Sequence, residues 1–266
     1  MIILKVGGGK SVNLDGITSD VASLAKSGEK FIIVHGANFA RDELSQRLGV
    51  EKRVVTSVSG YDSVYSDETA IDLLMMAYAG VKNKRLVELL QKKGVNAIGL
   101  SGLDGRVIQG KRNNGIRVIE NGKQKILRDF SGKPQSVNKE LLELLLGNGF
   151  TPVLCMPIAD ENGFAINSEN DDVVRVLQES MKAEKIVSLI EEKGFLEEKN
   201  NPNSLVKKIS KGELAAREQR VEGRMKRKVL ALRQLLEGGA ATVMLGDGRT
   251  EHPVLDALNG KGTTIE

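Results

Sequence analysis

The sequence predicts an α/β protein built on a mostly parallel central sheet with helices on both faces. Three observations carry that reading: short apolar runs of strand length recur along the 266 residues, amphipathic stretches of helical length separate them, and glycine stands just past several of those stretches. A chain of this length can bury a full core, either as one large domain or as two lobes.

The first run, Ile2-Ile3-Leu4-Lys5-Val6, reads as a buried strand and leads directly into Gly7-Gly8-Gly9-Lys10. Three glycines let backbone N–H groups approach a ligand that side chains would keep away, so this turn can hold a phosphate; Lys5 adds a cation at the strand end. The spacing is neither that of the P-loop nor that of the dinucleotide fingerprint, so any nucleotide must be held in another way. A glycine turn after a strand is also a common tight connection, and the turn alone does not decide between the two. A helical stretch from Asp15 to Ser27 stops at Gly28, Phe31 to His35 forms the second strand, and Asn38 to Leu48 forms a helix stopped at Gly49. The longest helical stretch runs from Asp67 to Lys93 and stops at Gly94, followed by a strand from Asn96 to Leu100. There the rhythm breaks. Ile116 to Glu120 and Lys123 to Arg128 flank Asn121-Gly122, the strongest short-range hairpin signal. The alternation then resumes with a helix over Val137 to Leu146, a strand over Pro152 to Met156, a helix over Asp171 to Met181 and a strand over Lys185 to Leu189. A polar surface loop, Glu197 to Ser204, precedes a last helix over Met225 to Glu237 and a strand over Ala241 to Leu245. Ligands of such sheets gather at the carboxyl ends of the strands.

Composition narrows the function. Hydrophobic residues make up 40% and charged residues 28%, no apolar stretch approaches membrane length, and the N-terminus reads as a strand rather than a targeting segment. The expectation is a cytoplasmic protein with no membrane contact. Cys155 lies in an apolar run and reads as a buried inert thiol; two histidines, His35 and His252, cannot build a metal cluster of the usual kind, so no protein metal site is expected. The net charge is +4, yet Lys111 to Lys133 alone holds seven basic residues against Glu120 and Asp129, a local +5 on the projecting hairpin. With 3% aromatic residues and no Trp, stacking platforms for nucleic acid are lacking, and an acidic protein partner or substrate fits better.

Four loops matter together: Lys5 with Gly7, Gly8 and Gly9; His35-Gly36-Ala37-Asn38; Ala165-Ile166-Asn167-Ser168-Glu169-Asn170-Asp171; and Gly223-Arg224-Met225-Lys226-Arg227-Lys228. In order and spacing, over the whole chain, they resemble the amino acid kinase family, which phosphorylates carboxylates with ATP without a P-loop. Asn83-Lys84-Arg85-Leu86-Val87-Glu88-Leu89-Leu90-Gln91 and Asn96-Ala97-Ile98-Gly99-Leu100-Ser101-Gly102-Leu103-Asp104-Gly105-Arg106 are most similar to its LysW-dependent aminoadipate or glutamate kinases, relatives of N-acetylglutamate kinase. The resemblance implies a three-layer sandwich of carbamate-kinase-like fold in two lobes, with residues 1–178 holding acyl substrate and carrier and 179–266 holding ATP. It implies that Lys5 and Lys226 flank the transferring phosphoryl, that Asp171 orients the lysines, that Gly7, Gly8, Gly9 and Gly36 bring backbone N–H groups to it, and that Gly36, Ala37 and Asn167 border the acyl substrate. It also implies Mg²⁺ on the nucleotide and a homodimer. Singly, Lys226 reads equally as part of a solvated basic face, Asp171 as a helix N-terminal charge and Asn167 as a turn residue; their joint order carries the functional reading.

The hairpin decides the subgroup. Docking a strongly acidic LysW-type carrier requires a complementary surface, for which Lys111, Arg112, Arg117, Lys123, Lys125 and Arg128 are the candidates. Three departures stand against the pattern. Val64 occupies the position of an arginine that grips the substrate α-carboxylate, Gly36-Ala37 replaces a double glycine, and Ile190-Glu191-Glu192-Lys193-Gly194-Phe195 replaces a small polar segment beside the nucleotide. The expected activity is formation of an acyl phosphate on carrier-bound 2-aminoadipate or glutamate in lysine or arginine biosynthesis. The alternatives are a kinase of free N-acetylglutamate and a catalytically weak relative that binds nucleotide or carrier.

Overall fold

In chain order the first elements are β1 (Ile2–Val6), α1 (Leu14–Lys26), β2 (Phe31–His35), α2 (Asn38–Leu48), β3 (Val54–Thr56), β4 (Asp62–Val64), α3 (Glu68–Leu74), a π-helical stretch (Met75–Lys82) and α4 (Asn83–Lys92). The middle of the chain forms β5 (Ala97–Ser101), β6 (Ile108–Arg112), β7 (Ile116–Glu120), β8 (Lys123–Leu127), β9 (Gly132–Val137), α5 (Lys139–Gly147), β10 (Thr151–Cys155), β11 (Ile158–Ala159) and β12 (Ala165–Ile166). The remainder is α6 (Asn170–Met181), β13 (Lys185–Ile190), β14 (Lys208–Ile209), α7 (Lys211–Arg220), α8 (Gly223–Glu237), β15 (Thr242–Asp247), α9 (Pro253–Leu258) and β16 (Thr263–Ile265). This computed structural model describes residues 1–51, 53–56, 62–120, 123–198, 201–220, 223–237, 239 and 242–266, with the backbone alone at 56, 62–64, 120, 202, 220, 223–228 and 231.

Eight strands form one sheet in the order β14-β16-β15-β13-β1-β2-β10-β5. The six from β15 to β5 run parallel, and β16 pairs antiparallel with β15. Because side chains alternate along a strand, each inner strand feeds two cores. Ile2, Leu4 and Val6 of β1 and Phe31 and Ile33 of β2 pack with Ile17 and Val21 of α1, Leu86 and Leu90 of α4 and Val254 of α9. Ile3, Ile32 and Val34 face the other way, onto Leu142 of α5, Val173 and Leu177 of α6 and Val229 and Leu235 of α8. Two helical layers therefore enclose one sheet. Each fully buried Ile or Leu contributes about 1.5–3 kcal/mol, so neither layer can be removed without losing the sheet.

Side chains cap the helices that follow loops. Asn13, Asp67 and Asn138 accept from the N–H groups of Gly16, Ala70 and Leu141 at 3.1, 2.9 and 3.1 Å, each cap being worth about 1 kcal/mol. The Asn138 cap explains one difference from the sequence reading: Val137 ends strand β9, and the helix starts only at Lys139. The long stretch over 67–93 is continuous but changes to π-helical winding at Met75–Lys82, which periodicity does not reveal. A second sheet, β12-β11-β6-β9, was not foreseen, nor were α7, β14 and β16; several of these strands are only two or three residues long. The hairpin is present: β7 pairs antiparallel with β8 from Ile116↔Leu127 to Glu120↔Lys123, and the expected Asn121-Gly122 turn lies outside the described residues. Among the described residues no helix is long and apolar enough to cross a membrane.

Candidate active site

Lys5 shares the face of β1 with Ile3, the face that packs on α6. Its ammonium meets Asp171 Oδ1 at 2.5 Å, in the first turn of that helix. The lysine is largely covered and the aspartate half-exposed, so the pair presents a fixed cation at the carboxyl end of the central strand. Asp171 is also favoured there by the positive end of the helix dipole.

The glycine turn after β1 is closed by backbone. Gly7 N–H donates to Leu189 O (3.0 Å) and Gly36 N–H to Val6 O (2.9 Å), continuing the strand pairing one residue further. Those two donors are spent in the sheet; what the glycines supply is close approach. A Cβ on Gly8 would lie 2.6–2.7 Å from Ala37 N, Asn38 N and Gly36 C, so the loops after β1 and β2 touch at a point only glycine fits. A Cβ on Gly36 would lie 3.2 Å from Asn170 Nδ2. Among the described residues, Asn170 Oδ1 and, two residues earlier in the chain, Ser168 Oγ are buried with no hydrogen-bond partner. Ala37 is fully buried where α2 begins.

Over Gly9 lies a group that the sequence flagged without locating. Glu191 Oε1 accepts from Ser11 N–H at 2.7 Å, and a Cβ at Gly9 would collide with that carboxylate. An anion of this chain thus rests on the turn. Behind the second loop, His35 is held neutral: burial pushes its pKa down to about 4. Its Nδ1 faces Gly36 O at 3.3 Å and its Nε2 faces Asn83 Nδ2 at 3.1 Å. With the amide donating, Nε2 must accept, which leaves the proton on Nδ1 to hold the Gly36 carbonyl.

Asn167 is positioned by both its backbone groups, donating to Phe130 O at 2.8 Å and accepting from Gly132 N–H at 2.9 Å. It lines a cavity of about 180 Å³ whose other walls include Arg41 and Asp42 of α2, Arg53, Tyr65, Asp67 and Leu73. Apart from Arg53, none of these residues is a site candidate in the sequence. The one sequence signal for Arg41 and Asp42 is that the stretch from Asn38 to Leu48 is mostly polar, and in the structure α2 buries none of its residues. The hairpin is anchored at the cavity mouth, where Tyr65 Oη donates to Arg128 O (2.7 Å) and Ser66 N–H to Asp129 Oδ1 (3.1 Å).

Of the six basic hairpin candidates, Lys111, Arg117, Lys123, Lys125 and Arg128 are exposed. Arg112 turns inward: it stacks 3.7 Å from the Phe130 ring centroid, and its Nε donates to Asp129 O at 3.0 Å. Lys226 belongs to the opening turns of α8, which packs against α6, and its side chain lies outside the described residues. The side chain of Val64, in β4, likewise lies outside them.

Comparisons with known proteins agree with this arrangement. The model of the Amino acid kinase family matches residues 1–247. The chain is 40% identical over its whole length to the [LysW]-aminoadipate kinase of Thermus thermophilus, covering all of that protein. It is likewise 40% identical over its whole length to the [LysW]-aminoadipate kinase of Deinococcus radiodurans, covering 91% of it. In three dimensions it superposes on the carbamate kinase of Giardia with a TM-score of 0.68 at 16% identity, over 100% of this chain and 98% of that one, a likeness of fold. The glycine turns, the Lys5–Asp171 pair, the parallel sheet and these matches have one common reading: the chain belongs to the amino acid kinase family.

Proposed function

We propose that this kinase transfers the γ-phosphoryl group of ATP to the side-chain carboxylate of 2-aminoadipate or glutamate carried on an acidic LysW-type protein, in lysine or arginine biosynthesis. The observation that carries this is the 40% identity over full length with two proteins named [LysW]-aminoadipate kinase. A carboxylate nucleophile is already ionised and needs no general base, so the protein's work is to position two anions and offset their charge. Lys5, aimed by Asp171, would meet the phosphoryl from β1, and Lys226 would meet it from α8. Gly8 and Gly9 would admit the phosphates closely, and Asn167 would border the acyl group in the cavity.

Mg²⁺ would arrive on the nucleotide's own phosphates, where it would offset the charge that builds up during transfer. The division of labour would put acyl substrate and carrier on residues 1–178 and nucleotide on 179–266, with a homodimer in the cytoplasm. The exposed face of the hairpin supports the carrier: Arg117 stands opposite Ile126, and Ile119 and Ile126 are 61% and 65% exposed, a mixed apolar and basic surface.

Trapping the acyl phosphate with hydroxylamine tests the reading. Carrier loaded with aminoadipate or glutamate should yield hydroxamate, and Lys5→Ala should lower kcat about a hundred- to a thousandfold, as loss of one transition-state donor does. Turnover of free N-acetylglutamate without carrier would favour the free-substrate enzyme instead. Glu191 on Gly9 favours a second reading, a weak relative that binds nucleotide without transfer. ATP binding with no hydroxamate from any loaded carrier would establish that one.

A further inference from the structure

We infer that Asn38 is a further catalytic residue of this kinase: its side-chain amide donates to the phosphoryl group in transit, and Tyr78 is the positioning residue that aims it. The inference rests on the function proposed above. Asn38 opens α2 directly over the glycine turn, where Phe39 N–H donates to Gly8 O at 3.0 Å and a Cβ on Gly8 would come within 2.7 Å of Asn38 N. The same junction leads to the Lys5–Asp171 pair, because Gly36 borders the Asn170 side chain and Asp171 is the next residue. Asn38 therefore stands at the end of the sheet where the transferred group is proposed to sit. Its side chain is exposed, yet one end of it is held. The hydroxyl of Tyr78, a buried residue of the π-helical stretch that packs on α2, donates to Asn38 Oδ1 at 2.5 Å. Burial raises the Tyr78 pKa above its ordinary value, so the hydroxyl keeps the proton it donates. That bond sets which way the amide faces: Oδ1 is spent on Tyr78, and Nδ2, without a protein partner among the described residues, is left as a donor. A buried hydroxyl spent on an exposed amide fixes a rotamer that solvent would otherwise leave free, which is preorganisation of a donor. In the transfer, an oxygen of the substrate carboxylate forms a bond to Pγ with its lone pair while the bond from Pγ to the β–γ bridging oxygen breaks, and ADP leaves with that electron pair; no proton moves. The charge is spread over the equatorial oxygens of the phosphoryl, and Nδ2 adds a fixed, neutral donor to the two lysines.

The test uses the full-length kinase and carrier loaded with aminoadipate or glutamate, read as hydroxamate, with calorimetry of ATP and thermal unfolding alongside. Asn38→Ala should lower kcat about a hundredfold with KM for carrier and Kd for ATP nearly unchanged. Asn38→Asp keeps an acceptor for Tyr78 and suits a helix start, so it should unfold no earlier than wild type; it also faces the phosphoryl with an anion, so its kcat should fall below that of Asn38→Ala. Tyr78→Phe should lower kcat about tenfold in the wild-type background and have no effect on Asn38→Ala, since an absent amide needs no aiming. Asn38→Ala with the kcat of wild type, or Asn38→Asp at least as active as Asn38→Ala, overturns the catalytic role while leaving the kinase. Equal losses from Tyr78→Phe in both backgrounds overturn the positioning role. Wild type that yields no hydroxamate from any loaded carrier overturns the function and this inference with it.

Discussion

Glu191 holds its carboxylate on Gly9 and Ser11, against the turn proposed above to receive a nucleotide's phosphates. Two anions cannot share that space. At about 4 Å two unit charges repel by about 4 kcal/mol in a medium of effective dielectric constant near 20, so bound nucleotide must either displace the side chain or tolerate it at high cost. Displacement breaks one charge-assisted hydrogen bond and frees a side chain, a far smaller loss. On that proposal Glu191 would compete with ATP for the turn. Glu191→Gln keeps an acceptor for Ser11 N–H and removes the charge, so it should tighten ATP binding about tenfold, read by calorimetry. Weaker binding in that variant would mean that the carboxylate assists the nucleotide rather than opposing it. The sequence displayed the odd acids at 191 and 192, because they are local; it could not display where one of them goes, because Ser11 lies 180 residues away.

Between elements, the ends of the chain are joined by Asp20. This almost fully buried carboxylate of α1 accepts from Val254 and Leu255 N–H at 2.9 and 3.2 Å, capping α9 from another helix, and meets His252 Nδ1 at 2.9 Å. The hydrogen bond with Asp20 raises the His252 pKa above its ordinary value. A histidine whose folded pKa lies above its unfolded one contributes stability that is complete below the unfolded pKa, near 6.5, and lost as pH rises through the folded value. Denaturation at about pH 6 and about pH 9 should thus show a decline in wild type that His252→Gln lacks. Asp20→Ala should cost about 3 kcal/mol at about pH 9, because it strands two backbone donors at a helix start, and more at about pH 6, where it also takes the partner from protonated His252. No local pattern announces this clamp: Asp20 reads as one polar residue in an amphipathic helix, and only the packing of α1 on α9 gives it partners. The strands were legible for the opposite reason. Apolar runs such as Phe31 to His35 declare burial within five residues, and Lys5 with the following glycines declares a site within another five. The cavity walls come from α2, the segment around β3 and β4, and Asn167, so no window of sequence contains them.

Across the whole molecule the charge is lopsided: the chain carries +4, while its hairpin segment alone carries +5. A body otherwise close to neutral with one basic projection beside the cavity mouth would attract the proposed acidic carrier and turn it hairpin-first, and such steering acts on the encounter rate. The Debye length shrinks from about 30 Å at 0.01 M salt to about 8 Å at 0.15 M, so that attraction should fade over this range while contacts inside the cavity persist. The kcat/KM for loaded carrier should then fall about tenfold between those salt concentrations with kcat nearly constant. Arg117→Glu combined with Lys123→Glu should lower the low-salt value by a similar factor and flatten the salt dependence. Both residues are exposed and stand on opposite strands of the hairpin, clear of the Arg112 and Phe130 stack that braces its root, so reversing them leaves the scaffold intact. A salt profile identical in wild type and the double variant would assign carrier docking to another face. The whole-chain charge would then serve solubility alone.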